Sequence, residues 1–323
     1  MRPWLLALAG SLFITGPARP AGPPVAAVKP ESVGGPARSG DPASLPTPRF
    51  VGVEGVAALQ GAGAVVLDAR ASGFLWAHIP SAQAVDWLDF RDGWGRVGRL
   101  HRDPQAMASK LSALGVDAAR PVLVYGAAAA GFGEEGRIAW LLLYLGHPQV
   151  HILDGGFAAW QRAKKSVERG PGRRPAQPGA FAAQPQPGLR ADKAQVQRAL
   201  SAPTEERPIL VDARSEAEWA GATPYLEARG GHIPGARSLP WGQLLDASGQ
   251  LKPAAQLRGE LSARGLGEPS ADREIIVYCT GGVRSAFVVA VLAQLGYRRV
   301  RNYDGSFWEW AADSSLPVAG GKD

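Results

Sequence analysis

Cys279 is the only cysteine in the 323 residues, so no disulfide can form within the chain. The fold must rest on its apolar cores. Methionine is almost as scarce, and Met1 and Met107 carry no functional signal. No long run of Lys or Arg occurs, although the net charge is +6. That excess is read as a solubility charge, and no nucleic-acid partner is expected. The Arg173-Arg174 pair lies in Pro/Gly-rich sequence and is read as linker. Past the N-terminus, no stretch reaches the roughly 20 apolar residues that span a bilayer. What the chain does have is a globular composition, 46% hydrophobic and 20% charged, with 41 Gly and 27 Pro. That length suits about two domains, and the Gly and Pro content predicts linkers or long loops.

The N-terminus reads as a signal peptide over residues 1–21. Arg2 precedes a short apolar run, Trp4 to Ile14, and Gly16-Pro17-Ala18 and Ala18-Arg19-Pro20-Ala21 follow as cleavage contexts. The expected location is periplasmic or secreted, with an uncleaved anchor as the alternative. No cysteine follows the apolar run, so a lipid anchor is not expected. Residues 22–48 are rich in Pro, Gly, Ala and Ser and are read as a flexible linker. An unpaired thiol in an oxidising compartment is a liability unless it is buried or used.

The rest of the chain is a duplication. Val65-Val66-Leu67-Asp68-Ala69-Arg70 matches Ile209-Leu210-Val211-Asp212-Ala213-Arg214, and His78-Ile79-Pro80 matches His232-Ile233-Pro234. Pro121 to Gly126 matches Glu274 to Cys279, and Asp154-Gly155-Gly156-Phe157 matches Asp304-Gly305-Ser306-Phe307. The order is conserved between the copies, which excludes chance. The predicted boundaries are 49–163 for the first domain, 164–188 for an interdomain linker and 189–318 for the second domain. A fragment beginning near Arg190 holds one whole repeat and is expected to fold alone.

In each copy, short β-branched runs alternate with amphipathic stretches. Ile209–Val211, Ile275–Tyr278 and a segment near Val300 read as buried strands. Val283–Leu295 reads as a helix closed by Gly296, a further helix starts at Ser306, and Asp103-Pro104 opens another. Alternation of this kind implies an α/β fold with parallel sheets covered on both faces.

Cys279 stands at a strand end, where open α/β sheets bind ligands. Thr280-Gly281-Gly282-Val283-Arg284 leads from it into a helix. The two glycines let the backbone curl, so that successive N–H groups point at one sulfur. The helix N-terminus and Arg284 add positive charge, which should lower the thiol's pKa. The same cradle would hold a persulfide or an anionic substrate. Four residues separate Cys279 from Arg284. Cysteine phosphatases typically place five there to enclose a tetrahedral phosphate, so the smaller loop favours transfer of one sulfur atom.

These features together resemble a tandem rhodanese over roughly residues 49–318, including the closing Tyr303-Asp304-Gly305-Ser306-Phe307-Trp308-Glu309-Trp310 segment. The resemblance implies two rhodanese-like domains, each a twisted parallel β-sheet flanked by helices, with the site between them. It implies that the C-terminal domain is catalytic and that the N-terminal copy, with Gly126 at the cysteine position, is silent. It further implies that Cys279 takes a sulfane sulfur from a small anionic donor such as thiosulfate and passes it to cyanide, a thiol or a protein persulfide partner. No cofactor or metal is implied, and the chain is expected to act as a monomer.

Thr280, Gly281, Gly282, Val283 and Arg284 are the expected substrate-binding loop. Asp212 and Arg214 either shape the pocket or form a structural ion pair, and Asp68 and Arg70 repeat them in the silent copy. His78 and His232 are read as turn histidines, with His78 the better placed for a site contact. Arg137 either replaces an anion-binding role or is solvated, and Trp241 is read as packing. Two departures weaken a mercaptopyruvate reading. Gly281 stands where those enzymes usually carry serine, and Phe181-Ala182-Ala183 stands where a substrate arginine is usual, with Arg190 as a nearby substitute. The alternatives to an enzyme are an envelope persulfide carrier with little steady-state turnover and a regulatory rhodanese-like module. Retention of Cys279 and Arg284 argues against the latter.

Overall fold

The computed structural model describes residues 47–93, 98–203, 206–269 and 273–320. The predicted leader 1–21, and residues 22–46 of the linker after it, lie outside the described residues. The first repeat runs β1 (Arg49–Val51), α1 (Val53–Gly61), β2 (Val65–Asp68), β3 (Gln83–Ala84), α2 (Pro104–Ala113), β4 (Val122–Tyr125), α3 (Glu134–Tyr144), β5 (Val150–Leu153) and α4 (Gly156–Arg162). The second runs β6 (Arg190–Ala191), α5 (Lys193–Ser201), β7 (Ile209–Asp212), α6 (Glu216–Trp219), β8 (Arg237–Ser238), α7 (Ala254–Ala263), β9 (Ile275–Tyr278), α8 (Val283–Gln294), β10 (Val300–Tyr303) and α9 (Ser306–Ala312).

Each repeat forms one five-stranded parallel sheet, ordered β1-β5-β4-β2-β3 and β6-β10-β9-β7-β8. The central strands Val-Leu-Val-Tyr (β4) and Ile-Ile-Val-Tyr (β9) are buried at every position, as strands covered on both faces must be. Asp103 caps α2 by accepting the Gln105 and Ala106 N–H groups, with Pro104 in the first turn. Gly296 takes φ +100° just past α8, the left-handed stop that its position predicts.

The repeats pack against each other through equivalent elements. The two inner helices α3 and α8 pack along their lengths, and a Cβ on Gly136 would fall 2.4 Å from the Cα of Phe287. Phe50 and Trp241 meet the Phe287 ring edge-on, so Trp241 is packing, as read. Asp304 accepts the Leu100 N–H at 2.7 Å and Asp154 accepts the Leu251 N–H at 2.8 Å, the same contact made in both directions. One continuous apolar cluster includes residues of both sheets.

The connecting segment 164–188 has little regular structure, in line with its Pro and Gly content. It is nevertheless docked and not a free tether. Glu168 pairs antiparallel with His78, the Gln184 and Gln186 N–H groups donate to Leu145 and Tyr144 carbonyls, and Phe181 is buried. The composition conceals this, because the strip is held down by one buried phenylalanine and by backbone hydrogen bonds that leave no trace in residue type.

Candidate active site

β9 delivers Cys279 to the carboxyl end of the middle of its sheet, and α8 begins four residues later. The thiol is buried. Gly282 N–H donates to Sγ at 3.1 Å, and the Ser285 hydroxyl lies 3.5 Å from it. That hydroxyl is closer to Asn302 Oδ1, at 2.7 Å, and Asn302 in turn donates to the Gly282 carbonyl. Gly282 is the left-handed N-cap of α8, with φ +78°, and a Cβ there would also press on the Asp304 carbonyl. The Cys279 N–H donates to Ser306 Oγ, and the Cys279 and Thr280 carbonyls accept the Phe307 and Trp308 N–H groups. The loop is thereby clamped by the start of α9.

Burial pushes the thiol pKa up, but Arg284, Ser285 and the backbone N–H groups of Ser285 and Gly281 outweigh it and hold the thiol below its ordinary value. Arg284 is not free to do only this. Its Nη1 and Nη2 bond both oxygens of Glu218 at 2.7 and 2.8 Å, and Thr280 Oγ1 accepts from Arg284 while donating to Glu218. Burial would raise the Glu218 carboxyl, yet the Arg284 bonds pull it down to about 2. Glu218 is placed by a capping box with Ser215 at the start of α6.

A cavity of about 190 Å³ opens over the sulfur. Cys279, Thr280, Gly281, Val283 and Arg284 form its floor, and Tyr225 and Trp308 form one wall. The N-terminal repeat supplies the other wall through Trp87, Phe132 and Glu134. The expected loop residues are thus brought together, with Gly282 bonding the sulfur from behind. Asp212, Arg214 and His78 do not line this cavity. Arg214 forks onto Asp212, donates to the Gly231 carbonyl and stacks over Phe307 at 3.9 Å, a buried structural pair. Arg70 repeats that arrangement with Asp68 and Phe157. His78 is buried, stacked on Phe74 and bonded to its carbonyl, and His232 does the same with Trp219.

Sequence reasoning missed Trp87, Phe132, Glu134, Tyr225 and Glu218. The Ser215/Glu218 capping box was a local signal for Glu218's placement, though not for its partner. The others lie far from Cys279 in sequence, on a one-turn helix (Trp87), at or just before the start of α3 (Phe132, Glu134) and in a turn (Tyr225). Trp308 was visible only as part of the closing segment. Its ring packs against Gly281, where a Cβ would fall 2.5 Å from the indole. The missing serine is therefore replaced by a tryptophan from α9.

Arg137 of α3 is neither solvated nor in the cavity. Buried between the repeats, it donates to the Gly282 and Gly98 carbonyls and stacks on Trp140 at 4.9 Å. Arg190 pairs with Asp304 at 3.1 Å and does not line the cavity either. At the matching place in the first repeat, Gly126 follows β4 and Gly133 is the left-handed N-cap of α3. Counting from the two caps puts Glu135 where Arg284 stands. A Cβ on Gly126 would fall 1.9 Å from Glu135 Oε2, so this carboxyl fills the space that a side chain at 126 would need. It has no hydrogen-bond partner at Oε2, and burial raises it to about 8.

Comparison with known proteins agrees with this architecture. The rhodanese-like domain family matches residues 53–163 and 193–313. The 3-mercaptopyruvate sulfurtransferase of Escherichia coli is 33% identical over 253 residues, covering 76% of this chain and 84% of that protein. The sulfur carrier protein TtuD of Thermus thermophilus is 31% identical, covering 76% and 86%. The crystal structure of SseA from Escherichia coli, a 3-mercaptopyruvate sulfotransferase by its description, superposes with a TM-score of 0.70 at 30% identity, over 80% of this chain and 99% of that one. EanB, at 23% identity and a TM-score of 0.74 over 85% and 70%, shares the fold. Two matched repeats, a cysteine loop in the second only, and relatives named for sulfur transfer or carriage place this chain in the rhodanese-like family, as a tandem of two such domains.

Proposed function

We propose that the protein is a sulfurtransferase that works through a persulfide on Cys279. The observation that carries this reading is the sole cysteine, bonded by the Gly282 N–H at 3.1 Å and held below its ordinary pKa by Arg284 and Ser285, at the floor of a cavity between two domains. The thiolate attacks the outer, sulfane sulfur of a donor such as thiosulfate. The new S–S bond forms at Cys279, and the donor's S–S bond breaks with its electron pair leaving on sulfite. A thiolate or cyanide then attacks the outer sulfur of the persulfide and restores the Cys279 thiolate. The loop N–H groups that stabilise the thiolate also stabilise the terminal persulfide anion. Thr280, Gly281, Val283 and Arg284 contact the donor in this reading, while Asp212, Arg214 and His78 support the fold.

Intact-mass measurement after exposure to sulfur donors tests the proposal, because one cysteine makes any added sulfur unambiguous. The parent should gain one sulfur atom, released by cyanide, and Cys279→Ala should gain none. A second reading, a persulfide carrier with little turnover, draws support from the relative named as a sulfur carrier protein. A carrier would load once yet turn over poorly with thiosulfate and cyanide. We also propose export directed by residues 1–21. Cell fractionation with N-terminal sequencing should find a shortened chain outside the cytosol, and a soluble cytosolic chain starting at Met1 would refute it.

A further inference from the structure

Glu134 stands where the release of sulfur to a thiol needs a proton acceptor. It is the first residue of α3, in the repeat that lacks a cysteine, and it lines the cavity over Cys279 beside Trp87 and Phe132. Its side chain is buried, and Oε2 accepts the Phe132 N–H at 2.8 Å, which fixes the carboxylate. Among the described residues no donor is bonded to Oε1. Cys279, Arg284 and Tyr225 line the same cavity from the second repeat. The carboxylate of Glu218 is closed by comparison, with Arg284 on both oxygens and Thr280 on one. The Ser285 hydroxyl is turned to Asn302.

Glu134 also has an outer side. A second cavity, of about 450 Å³, shares Trp87 and Glu134 with the first, and the exposed Ser72, Trp76, Asp86 and Asp89 line it. The one carboxylate therefore touches both the space over the sulfur and a groove open to water.

A thiol crosses an aromatic-walled cavity more readily as R–S–H than as a thiolate, which would have to shed its hydration. Near neutral pH an ordinary thiol is only a few per cent ionised. Its proton is then lost inside the cavity. Resting on the Cys279 persulfide reading and adding a residue to its second half, we propose that Glu134 is a catalytic residue, the general base for thiol acceptors. The proton of R–S–H passes to Oε1, and the freed electron pair on the acceptor sulfur forms a bond to the outer sulfur of the persulfide. The Cys279 S–S bond breaks with its pair on Sγ. The products are R–S–S⁻ and the Cys279 thiolate, and the proton leaves Glu134 to water through the outer groove. The cavity of about 190 Å³ holds about six groups of water size at roughly 30 Å³ each, enough for the persulfide and a small thiol.

Two acceptors of nearly the same shape test this. At pH 8 ethanethiol is almost all R–S–H, whereas trifluoroethanethiol is mostly thiolate. The full chain is loaded with one sulfur by inorganic polysulfide, freed of excess, and its discharge to each thiol is followed by intact mass. Glu134→Gln keeps an oxygen for the Phe132 N–H and removes the base. It should slow discharge to ethanethiol about 100-fold and change discharge to trifluoroethanethiol by less than about threefold. Its ethanethiol rate should then climb with pH, as the thiol ionises, and close on the parent's. Equal slowing with both thiols would show that Glu134 is only a wall, and no slowing with either would show that it takes no proton; both overturn the proposal. If Glu134→Gln does not fold, the parent decides alone. Its ethanethiol rate should be nearly flat from pH 7 to pH 9, and a rise of about tenfold per pH unit would mean that the thiol ionises before it binds. A parent that takes up no sulfur would instead remove the persulfide reading itself, and this role with it.

Discussion

Ser306 and Gly156 occupy the same place in the two repeats, and they show what the cysteine-bearing copy asks of one residue. Both have φ +54°, a conformation that glycine adopts freely and serine does not. The silent copy uses glycine, whose added Cβ would press on the Gly126 carbonyl. The active copy keeps serine, and its Oγ accepts the Cys279 N–H while donating to the Tyr303 carbonyl. The backbone strain, of order 1–3 kcal/mol, is retained where the hydroxyl fixes the nucleophile's own backbone. Ser306→Ala keeps the strain and loses the bonds, so it should cost about 1–3 kcal/mol in stability and slow persulfide loading. Ser306→Gly relieves the strain and should recover stability without recovering the rate. Equal loading by all three proteins would show that Ser306 does not position the thiol. Glu135 makes the complementary point in the silent copy. Its carboxyl, raised to about 8 by burial, keeps a proton that the unfolded chain gives up near the ordinary 4.5. Folding then binds a proton across that window, so Glu135 favours the fold at low pH and loses its contribution as pH rises toward 8. Glu135→Gln cannot titrate. Its melting temperature relative to the parent should therefore improve from pH 5 to pH 8, and a gap independent of pH would contradict the assignment.

The unit of strand, loop and helix around Cys279 was readable in the sequence because its signals are local. A β-branched run, paired glycines, an arginine and an apolar helix follow one another within Ile275–Gln294, and the structure forms β9, loop and α8 there. The duplication was readable for the same reason, since each motif carries its own pattern. The cavity wall was not. Trp87 sits in a one-turn helix and Phe132 just before α3, both in the other repeat, and nothing near them in sequence indicates that they face a thiol. The commitment of Arg284 to Glu218 was hidden likewise, because 66 residues separate the partners. Among the helices, α3 and α8 carry a constraint that sequence shows only as a glycine. Gly136 lets the two backbones touch, and any side chain there must displace the Phe287 backbone. Gly136→Val should destabilise the whole protein by about 1–3 kcal/mol or more and reduce loading. Gly259→Ala in α7, where a new Cβ meets nothing within 4 Å, should be neutral or stabilising by about 0.5–1 kcal/mol. Thermal unfolding of the pair checks this, and tolerance of valine at 136 would show that the helices are not locked together there.

At the scale of the whole molecule, a repeat without a cysteine stands beside the one that carries it, and the structure gives two separate reasons for the pairing. One is chemical, because Trp87, Phe132 and Glu134 close the cavity that Cys279 opens. The other is physical. Every residue of α8 from Val283 to Leu292 is buried, although a sheet can cover only one side of a helix. The other side of α8 is covered by α3. Removing the first repeat would expose Phe287 and its apolar neighbours. At about 1.5–3 kcal/mol for each large side chain, a few such residues cost on the order of 5–10 kcal/mol, as much as a domain's usual net stability. The second repeat is complete in its strands and motifs, which is why sequence alone counts it as self-sufficient, but its core is not closed. A fragment of residues 189–323 should therefore aggregate or lack a cooperative unfolding transition, and it should not load sulfur at the parent's rate. Residues 47–188 supplied in trans should restore both solubility and loading, because the interface is a continuous apolar core and not a linker-dependent contact. Circular dichroism melts and intact-mass loading on the fragment, with and without its complement, read out the two effects separately. A fragment that melts cooperatively but loads slowly would leave only the chemical role for the first domain. One that melts cooperatively and loads at full rate would leave the first domain neither role.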